Sequence, residues 1–206
     1  PQLKLHYGDL TDATNIIGVI QKVQPDEIYN LAAQGSPRLS FDIPEETISG
    51  ICSGTINILE AIRSVDPSIR YYQPSSSEMY GDNPNMPDTG FTESCSFNPT
   101  SPYSCAKTFA HNLVSTYRKT YGLHLSSGIM FNHESPRRPD SFVTKKITTS
   151  VARIKAGLQD SLWLGNVDAE RDWGFAGDYV KSMWMMLQQD TPQDYVICTG
   201  KISSVY

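Results

Sequence analysis

Short apolar runs alternate along this chain with longer stretches in which apolar residues recur at helical spacing, and this alternation constrains the fold more than any other feature. It is typical of βαβ units, in which crossover helices join parallel strands. We therefore predict an α/β fold with a doubly wound parallel sheet. Ligands of such sheets bind beyond the carboxyl ends of the strands, so the segments that follow strands are the places to search for function.

The same pattern predicts the individual elements. Strands are predicted at Leu3–Tyr7, Glu27–Ala32, Ile69–Pro74, Leu123–Phe131, Ser161–Leu164 and Tyr195–Thr199. Helices are predicted from the Asp12 cap to Pro25, at Glu45–Val65, from Pro102 to the Gly122 stop, at Ser141–Ala156 and at Asp178–Gln189. A long irregular loop is predicted at Gly81–Thr100 and a polar loop at Asn132–Asp140.

Composition excludes several classes of function. The 206 residues carry 17 Lys and Arg against 22 Asp and Glu, a net charge of −5, which argues against a nucleic-acid partner. The apolar runs fall far short of the roughly 20 residues that a membrane helix needs, and no export signal opens the chain. The four cysteines show no metal-type or disulfide-scaffold spacing, so we expect free thiols in the cytoplasm and no metal site.

A hydroxyl and a carboxylate follow the third predicted strand, in the sequence Ser75–Gly81. Ser76 and Glu78 lie two residues apart, which allows the hydroxyl to donate a hydrogen bond to a ligand while the carboxylate moves a proton. A serine-rich turn with a solvated glutamate is the alternative explanation.

Tyr103 and Lys107 lie four residues apart at the start of a predicted helix, and therefore on one face. An ammonium group beside a phenol favours the phenolate and makes the tyrosine usable as a base near neutral pH. The same spacing also occurs by chance in many helices.

Two arginine-bearing loops complete the candidate chemistry. Arg137 and Arg138 follow the fourth predicted strand, and Arg171 lies in a later loop. Guanidinium groups suit bidentate binding of phosphate, so both loops are candidates for one anion. Solvated surface loops are the alternative.

Together these segments resemble the extended short-chain dehydrogenase/reductases and, among them, the GDP-mannose 4,6-dehydratase family. The similar stretches span nearly the whole chain: YGDLTD (7–12), EIYNLAAQ (27–34), YYQPSSSEMYG (71–81), SPYSCAK (101–107), FNHESPRR (131–138), FVTKKI (142–147), LGNVDAERDWG (164–174), DYV (178–180) and CTG (198–200). The resemblance implies a Rossmann-like fold that lacks its first βα units, with the Gly-rich turn, and the end of the substrate domain. It also implies that residues 1–140 bind a dinucleotide and that residues 141–206 bind the nucleotide-sugar and return a strand.

The resemblance also implies a reaction. NADP takes hydride from C4 of GDP-mannose, water leaves across C5–C6, and hydride returns to C6, in deoxyhexose biosynthesis of the GDP-fucose or GDP-rhamnose type. Tyr103 would be the base on the C4 hydroxyl, with Lys107 lowering its pKa. Glu78 would remove the C5 proton, and Ser76 stands where the family usually carries threonine.

Binding roles follow from the same resemblance. The implied cofactor contacts are Asp9, Leu10, Leu31, Ala32, Ala33, Gln34, Tyr103, Lys107, His133 and Arg138. The implied substrate contacts are Ser77, Asn132, Glu134, Lys145 and Arg171. Relatives pair through a four-helix bundle, so a homodimer or homotetramer is expected, with Glu45–Val65 and Ser101–Gly122 at the interface. Core packing is the rival explanation for the apolar stripe of the second helix, which consists of Phe109, Leu113 and Tyr117.

Departures from the family pattern keep two alternatives open. Gly35-Ser36-Pro37 and Glu46 replace family residues on the cofactor side, which favours a non-catalytic homologue that binds nucleotide-sugar. A GDP-4-keto-6-deoxymannose reductase has the same fold, but it needs no C5 base, and Glu78 therefore argues against it.

Overall fold

A computed structural model describes residues 3–83, 87 and 90–206. The strands are β1 Glu27–Tyr29, β2 Arg70–Ser76, β3 Leu125–Met130, β4 Asn132–Glu134, β5 Glu170–Phe175, β6 Asp194–Ile197 and β7 Ile202–Ser204. The helices are α1 Ala13–Val23, α2 Pro44–Ile48, α3 Gly54–Val65, α4 Pro102–Tyr121, α5 Val143–Lys155 and α6 Ala176–Leu187.

The main sheet has the strand order β1-β2-β3-β6, and β1, β2 and β3 run parallel. Helix α4 packs against β2 and β3, and α1 packs against α3. A parallel sheet with crossover helices confirms the predicted α/β fold.

The chain divides into two compact units. The first comprises residues Pro1–Met130 with Met183–Val196, and the second comprises Phe131–Ser182 with Ile197–Tyr206. The second unit contains a smaller sheet of order β4-β5-β7, in which β4 and β5 are parallel and β5 and β7 antiparallel. The functional division at residue 140 stays a prediction.

The core of the first unit forms where helix α3 meets β2 and β3. Leu59, Ile62, Tyr71 and Leu125 are fully buried there. Burial of aliphatic and aromatic side chains is the dominant favourable term in folding, at about 1.5–3 kcal/mol for each large side chain. This cluster packs the helices against the amino-terminal halves of β2 and β3, whose opposite ends carry the candidate site.

Two helices end where their sequences predict. Asp12 caps α1 by accepting a hydrogen bond from the backbone N–H of Asn15 at 3.0 Å. Ser101 and Ser104 form a capping box at the start of α4, and Gly122 ends that helix in the left-handed conformation.

Several predicted strands are wrong. The segment Leu3–Tyr7 is exposed and extended without a ladder, and Ser161–Leu164 is likewise no strand. A strand needs a hydrogen-bonded neighbour, and none of residues 3–83, 87 and 90–206 pairs with either segment. Strand β1 ends at Tyr29, so the predicted extension to Ala32 is also wrong.

The second unit contains strands that the sequence analysis missed. Asn132–Glu134 begins a predicted loop but pairs with β5 as strand β4, and β7 pairs with the other edge of β5. Asp172 organises the turn before β7, because its buried carboxylate accepts hydrogen bonds from the backbone N–H groups of Thr199 and Gly200.

The predicted helix Glu45–Val65 is interrupted. A π turn over Ser49–Ser53 separates α2 from α3. Such wider turns occur mostly inside α-helices and frequently at functional sites.

Gly81 begins the long irregular segment, part of which lies outside the described residues. Its φ is +54°, and a Cβ there would lie 1.9 Å from the carbonyl oxygen of Asn98. Only glycine fits this close backbone approach, which returns the loop to the turn after β2.

The apolar stripe of α4 divides between two surroundings. Leu113 and Tyr117 pack against the core, and the Tyr117 hydroxyl donates to Glu60 at 2.7 Å. Phe109 is 43% exposed. Core packing therefore accounts for two of the three residues.

The four cysteines are free, as predicted. Within residues 3–83, 87 and 90–206, no helix is both long enough and apolar enough to cross a membrane.

Candidate active site

The turn after β2 presents the predicted hydroxyl and carboxylate. Ser76 caps a short 3-10 turn over Ser77–Met79, and its Oγ accepts a hydrogen bond from the backbone N–H of Glu78 at 3.2 Å. The side chains of Ser76, Ser77 and Glu78 are partly exposed. The cap fixes Ser76 and Glu78 at the carboxyl end of a parallel strand, where the fold places ligands.

Tyr103 and Lys107 are both buried in the first two turns of α4, which packs against the turn that bears Glu78. The Lys107 ammonium lies 5.5 Å from the centre of the Tyr103 ring and donates to the carbonyl oxygen of Pro74 at 2.9 Å. Burial lowers the pKa of Lys107 from 10.5 to about 8. The lysine is therefore mostly charged at neutral pH and close to its titration range.

The start of α4 is held by Ser40, which the sequence analysis missed. Its Oγ accepts a hydrogen bond from the backbone N–H of Tyr103 at 3.1 Å and donates to the carbonyl oxygen of Pro37 at 2.6 Å. The side chain satisfies one of the N–H groups that every helix start leaves unpaired. Ser40 therefore ties the loop after β1 to the residue predicted to be the base.

A cavity of about 510 Å³ collects most of the predicted cofactor contacts in the first unit. Its lining includes the predicted residues Asp9, Leu10, Ala32, Ala33 and Gln34. Leu31 does not line it and is 62% exposed. The volume is that of a small-molecule site, and residues from two separate segments converge on it, so the residues present fit part of a dinucleotide.

The cavity wall shows features of a built site. Asp9 accepts hydrogen bonds from the backbone N–H and the hydroxyl of Thr11, and these lower its pKa. Ala33 has a φ of +81°, a conformation that costs a non-glycine residue about 1–3 kcal/mol and is concentrated at ligand sites. Gln34 is fixed because its Nε2 donates to the Thr47 hydroxyl at 3.0 Å.

The opposite wall comes from helix α2 and the π turn. Glu46, Ser49 and Gly50 line the cavity. Of these three residues, the sequence analysis identifies only Glu46, as a departure from the family pattern. The π turn carries no signature in a single sequence, so the contribution of Ser49 and Gly50 was not predictable.

In the second unit, β4 orients His133. Its ring stacks on that of Tyr179, with centroids 4.7 Å apart, and its Nδ1 lies 2.9 Å from the carbonyl oxygen of Phe131. Asn132 lies beside it, opposite Trp173 of β5. The small sheet therefore brings Asn132 next to the strand that carries Arg171.

Glu134 and Arg138, predicted to contact substrate and cofactor, contact each other. Arg138 Nε lies 3.2 Å from Glu134 Oε2, and the guanidinium lies 3.6 Å from the centre of the Phe142 ring. Thr144 also donates to Glu134 at 2.8 Å. The Glu134 carboxylate therefore neutralises part of the charge of Arg138, which the sequence analysis predicts to bind phosphate.

Lys145 and Arg171, two of the predicted substrate contacts, both lie in the second unit. Lys145 Nζ donates to the carbonyl oxygen of Pro136 at 3.1 Å. Arg171 is exposed, and its Nη1 donates to the carbonyl oxygen of its neighbour Glu170 at 2.8 Å. Neither cation is engaged by a carboxylate among the described ion pairs.

Known proteins resemble the chain in sequence. GDP-mannose 4,6 dehydratase 1 from Arabidopsis thaliana is 50% identical over 98% of the chain and 56% of its own length. GDP-mannose 4,6 dehydratase from Drosophila melanogaster is 48% identical over 99% of the chain and 51% of its own length. The chain thus spans about half the length of the curated relatives it matches.

Solved structures share the fold. RMD from Pseudomonas aeruginosa, complexed with NADPH, has a TM-score of 0.87 and 27% identity, over 97% of the chain and 67% of its own. DesIV, a dTDP-glucose 4,6-dehydratase from Streptomyces venezuelae with bound NAD, has a TM-score of 0.85 at 23% identity over 99% of the chain and 61% of its own, and shows the fold alone. The family described as GDP-mannose 4,6 dehydratase matches residues 1–206. The chain belongs to the GDP-mannose 4,6 dehydratase family.

Proposed function

We propose that the chain carries the catalytic core of a GDP-mannose 4,6-dehydratase, a hydro-lyase that converts GDP-mannose to GDP-4-keto-6-deoxymannose for deoxyhexose biosynthesis. The observation that carries the proposal is the buried Lys107 ammonium beside the Tyr103 ring, packed against the turn with Glu78. Relatives that are about 50% identical to the chain and carry the name of this enzyme also support the proposal.

Tyr103 acts as the base on the C4 hydroxyl of the sugar. The adjacent cation stabilises the phenolate more than the phenol, because the charges attract in a site from which water is excluded. When bound, NADP would supply the hydride chemistry, as acceptor of the C4 hydride and donor of the hydride that returns to C6, while a proton from solvent adds at C5. Asp9, Ala33 and Gln34 would hold the cofactor in the cavity that they line. The NADPH bound by RMD, a protein of the same fold, supports NADP rather than NAD as this cofactor.

Glu78 breaks the C5–H bond, whose proton the neighbouring C4 ketone has made acidic. The electron pair forms the C5–C6 double bond as the C6–O bond breaks, and the carboxyl proton passes to the departing hydroxyl, so that water leaves. Ser76 donates a hydrogen bond to a sugar oxygen. One carboxylate thus serves as base and then as acid.

Asn132 and Arg171 bind the phosphates of the nucleotide-sugar, with Ser77, Glu134 and Lys145 as further contacts. An arginine that no carboxylate neutralises is suited to bidentate phosphate binding. Because Arg138 pairs with Glu134, we expect it to contribute less than Arg171 to the binding of a phosphate group.

A non-catalytic homologue is the second candidate, because Glu46 adds a second carboxylate to the cavity that Asp9 also lines. Two carboxylates disfavour a phosphate nearby. Calorimetry with NADPH separates the candidates: saturable binding supports the enzyme, and no binding at millimolar concentration supports the homologue.

Self-association is also proposed, as a homodimer or homotetramer. Ile48, Ile56 and Phe109 expose apolar side chains on the helices predicted to pair. Light scattering at micromolar concentration tests this, and a monomer there contradicts it.

Glu78→Gln tests the dehydratase. The variant keeps shape and hydrogen bonding but accepts no proton. We expect it to oxidise C4, accumulate reduced cofactor that absorbs in the near ultraviolet, and stop exchanging the C5 hydrogen with deuterium oxide. Glu45→Gln, an exposed position on α2, is the control and should behave as the parent. Product formation at the parent rate by Glu78→Gln would contradict the assignment.

A further inference from the structure

A buried histidine on helix α4 contacts the end of strand β2, and neither the sequence analysis nor the proposed mechanism uses it. His111 lies one turn beyond Lys107 on the same helix face and is 6% exposed. Its Nδ1 lies 2.9 Å from the Oγ of Ser75, which is also buried. Two successive turns of α4 therefore grip two successive residues of β2, since Lys107 donates to Pro74.

The surroundings of His111 keep it neutral. Burial lowers its pKa below 6.5; Asp194 opposes this shift and Arg118 adds to it. Its Nε2 lies 3.8 Å from Asp194 Oδ2, beyond hydrogen-bond distance, and Asp194 is already bound by two guanidinium nitrogens of Arg118. The ring edge also contacts Phe97, with centroids 5.1 Å apart. A neutral ring in a fixed orientation leaves Nδ1 for Ser75.

We propose that His111 is a positioning residue that holds the end of strand β2 against helix α4 through its hydrogen bond to Ser75. Its effect reaches Lys107, because the carbonyl oxygen that holds Nζ belongs to the residue before Ser75. Its effect also reaches Ser76, the next residue along the chain. Buried hydrogen-bond pairs specify one arrangement, since an unpaired partner is costly.

The proposed function gives Lys107 and Ser76 their chemical roles, and in that respect the inference rests on it. The hydrogen bond itself is measurable without turnover. The pKa of Lys107 is the readout, because it depends on how completely the packing of α4 against β2 excludes water from Nζ.

The experiment follows the titration of Lys107 by NMR in the full chain with 13C-labelled lysine, assigned with Lys107→Met. The parent should titrate near pH 8. His111→Phe and Ser75→Ala each loosen the strand end, and we expect the pKa of Lys107 to rise by about one pH unit or more toward its ordinary value. His111→Asn retains a hydrogen-bonding group near the position of Nδ1 and should restore the parent titration.

Val114→Ala is the matched control. Val114 is fully buried on the same helix in the core cluster with Tyr71 and Leu125, so its truncation lowers stability while both partners of the His111–Ser75 hydrogen bond remain. We expect the Lys107 titration to stay near pH 8 in this variant. The double variant His111→Phe with Ser75→Ala should shift the titration no further than either single change, because both remove one hydrogen bond.

An unshifted Lys107 titration in Ser75→Ala and His111→Phe overturns the proposal, as does an equal shift in Val114→Ala. Turnover of GDP-mannose gives an independent reading. If the dehydratase is active, His111→Phe should lower kcat by about 10–100-fold with KM unchanged. If the Lys107 titrations shift as expected but the parent protein does not turn over GDP-mannose, the positioning role of His111 stands and the proposed function is refuted.

Discussion

Replacing Lys107 by methionine should stabilise the protein at neutral pH while removing the proposed dehydratase activity. The lysine is buried, and its pKa is lowered from 10.5 to about 8 because the charged form has lost its hydration. At about 1.36 kcal/mol for each tenfold change in proton affinity, holding the charge in the folded state costs about 3 kcal/mol. Methionine has a similar unbranched shape and carries no charge.

The gain is offset in part by the carbonyl oxygen of Pro74, which loses its donor. A lost hydrogen bond that leaves a buried acceptor costs about 1–3 kcal/mol. We therefore expect Lys107→Met to be about 0–2 kcal/mol more stable than the parent at pH 7. The ammonium group that the proposed mechanism uses is lost at the same time.

The pH dependence gives the sharper test. Between pH 8 and 10.5 the unfolded lysine binds its proton more tightly than the folded one, so the stability of the parent rises with pH across this window. Below pH 8 the full cost is present. The advantage of Lys107→Met should therefore shrink by about 3 kcal/mol from pH 8 to 10.5 and change sign, because the neutral lysine still donates to Pro74.

Urea unfolding followed by far-ultraviolet circular dichroism at pH 7, 8, 9 and 10 measures this difference. Lys119→Met, at an exposed position of the same helix, is the control and should show a small difference that is constant with pH. A pH-independent difference for Lys107→Met, or a loss of stability at pH 7, would refute the view that Lys107 is held in a desolvated site.

Three further predictions follow from other contacts. Gly81→Ala should lower stability by about 2–4 kcal/mol, because a Cβ would meet the Asn98 carbonyl, whereas Gly157→Ala, also at positive φ but in open space, should cost about 1–2 kcal/mol in urea unfolding. Arg171→Ala should weaken GDP binding in calorimetry by about 10–150-fold, the loss of one charge-assisted contact, and unchanged affinity would contradict the phosphate role. Burial raises the pKa of Asp194, but hydrogen bonds from Arg118 outweigh this effect and hold the pKa below 3.8. The stability that the ionised Asp194 contributes should therefore be lost as the pH falls below 3.8, and the free energy of unfolding of Arg118→Met should depend less on pH in this range.

The sequence by itself determined several helix ends and supplied the residues proposed to carry chemistry. Asp12, Pro102 and Gly122 mark helix ends through their own side-chain and backbone preferences, and the structure places those ends within a residue or two. The Tyr103–Lys107 spacing predicts a shared face because helical geometry is local. Periodicity also predicted the α/β fold, since burial pattern follows strand and helix period.

Tertiary structure decided which extended segments became strands. Leu3–Tyr7 has the composition of a strand and forms none, whereas Glu170–Phe175 pairs with two neighbours and was missed. Strand formation depends on hydrogen bonds to residues distant in sequence, and a single segment carries no record of its partner.

The character of the site was also decided by packing. Asp9 and Glu46 line one cavity although 36 positions separate them, and Glu134 turns toward Arg138. The lowered pKa of Lys107 arises from burial against β2, which no spacing predicts. Identity and order of residues are linear properties, but convergence, desolvation and charge pairing depend on distances in the folded chain, where electrostatic energies are set.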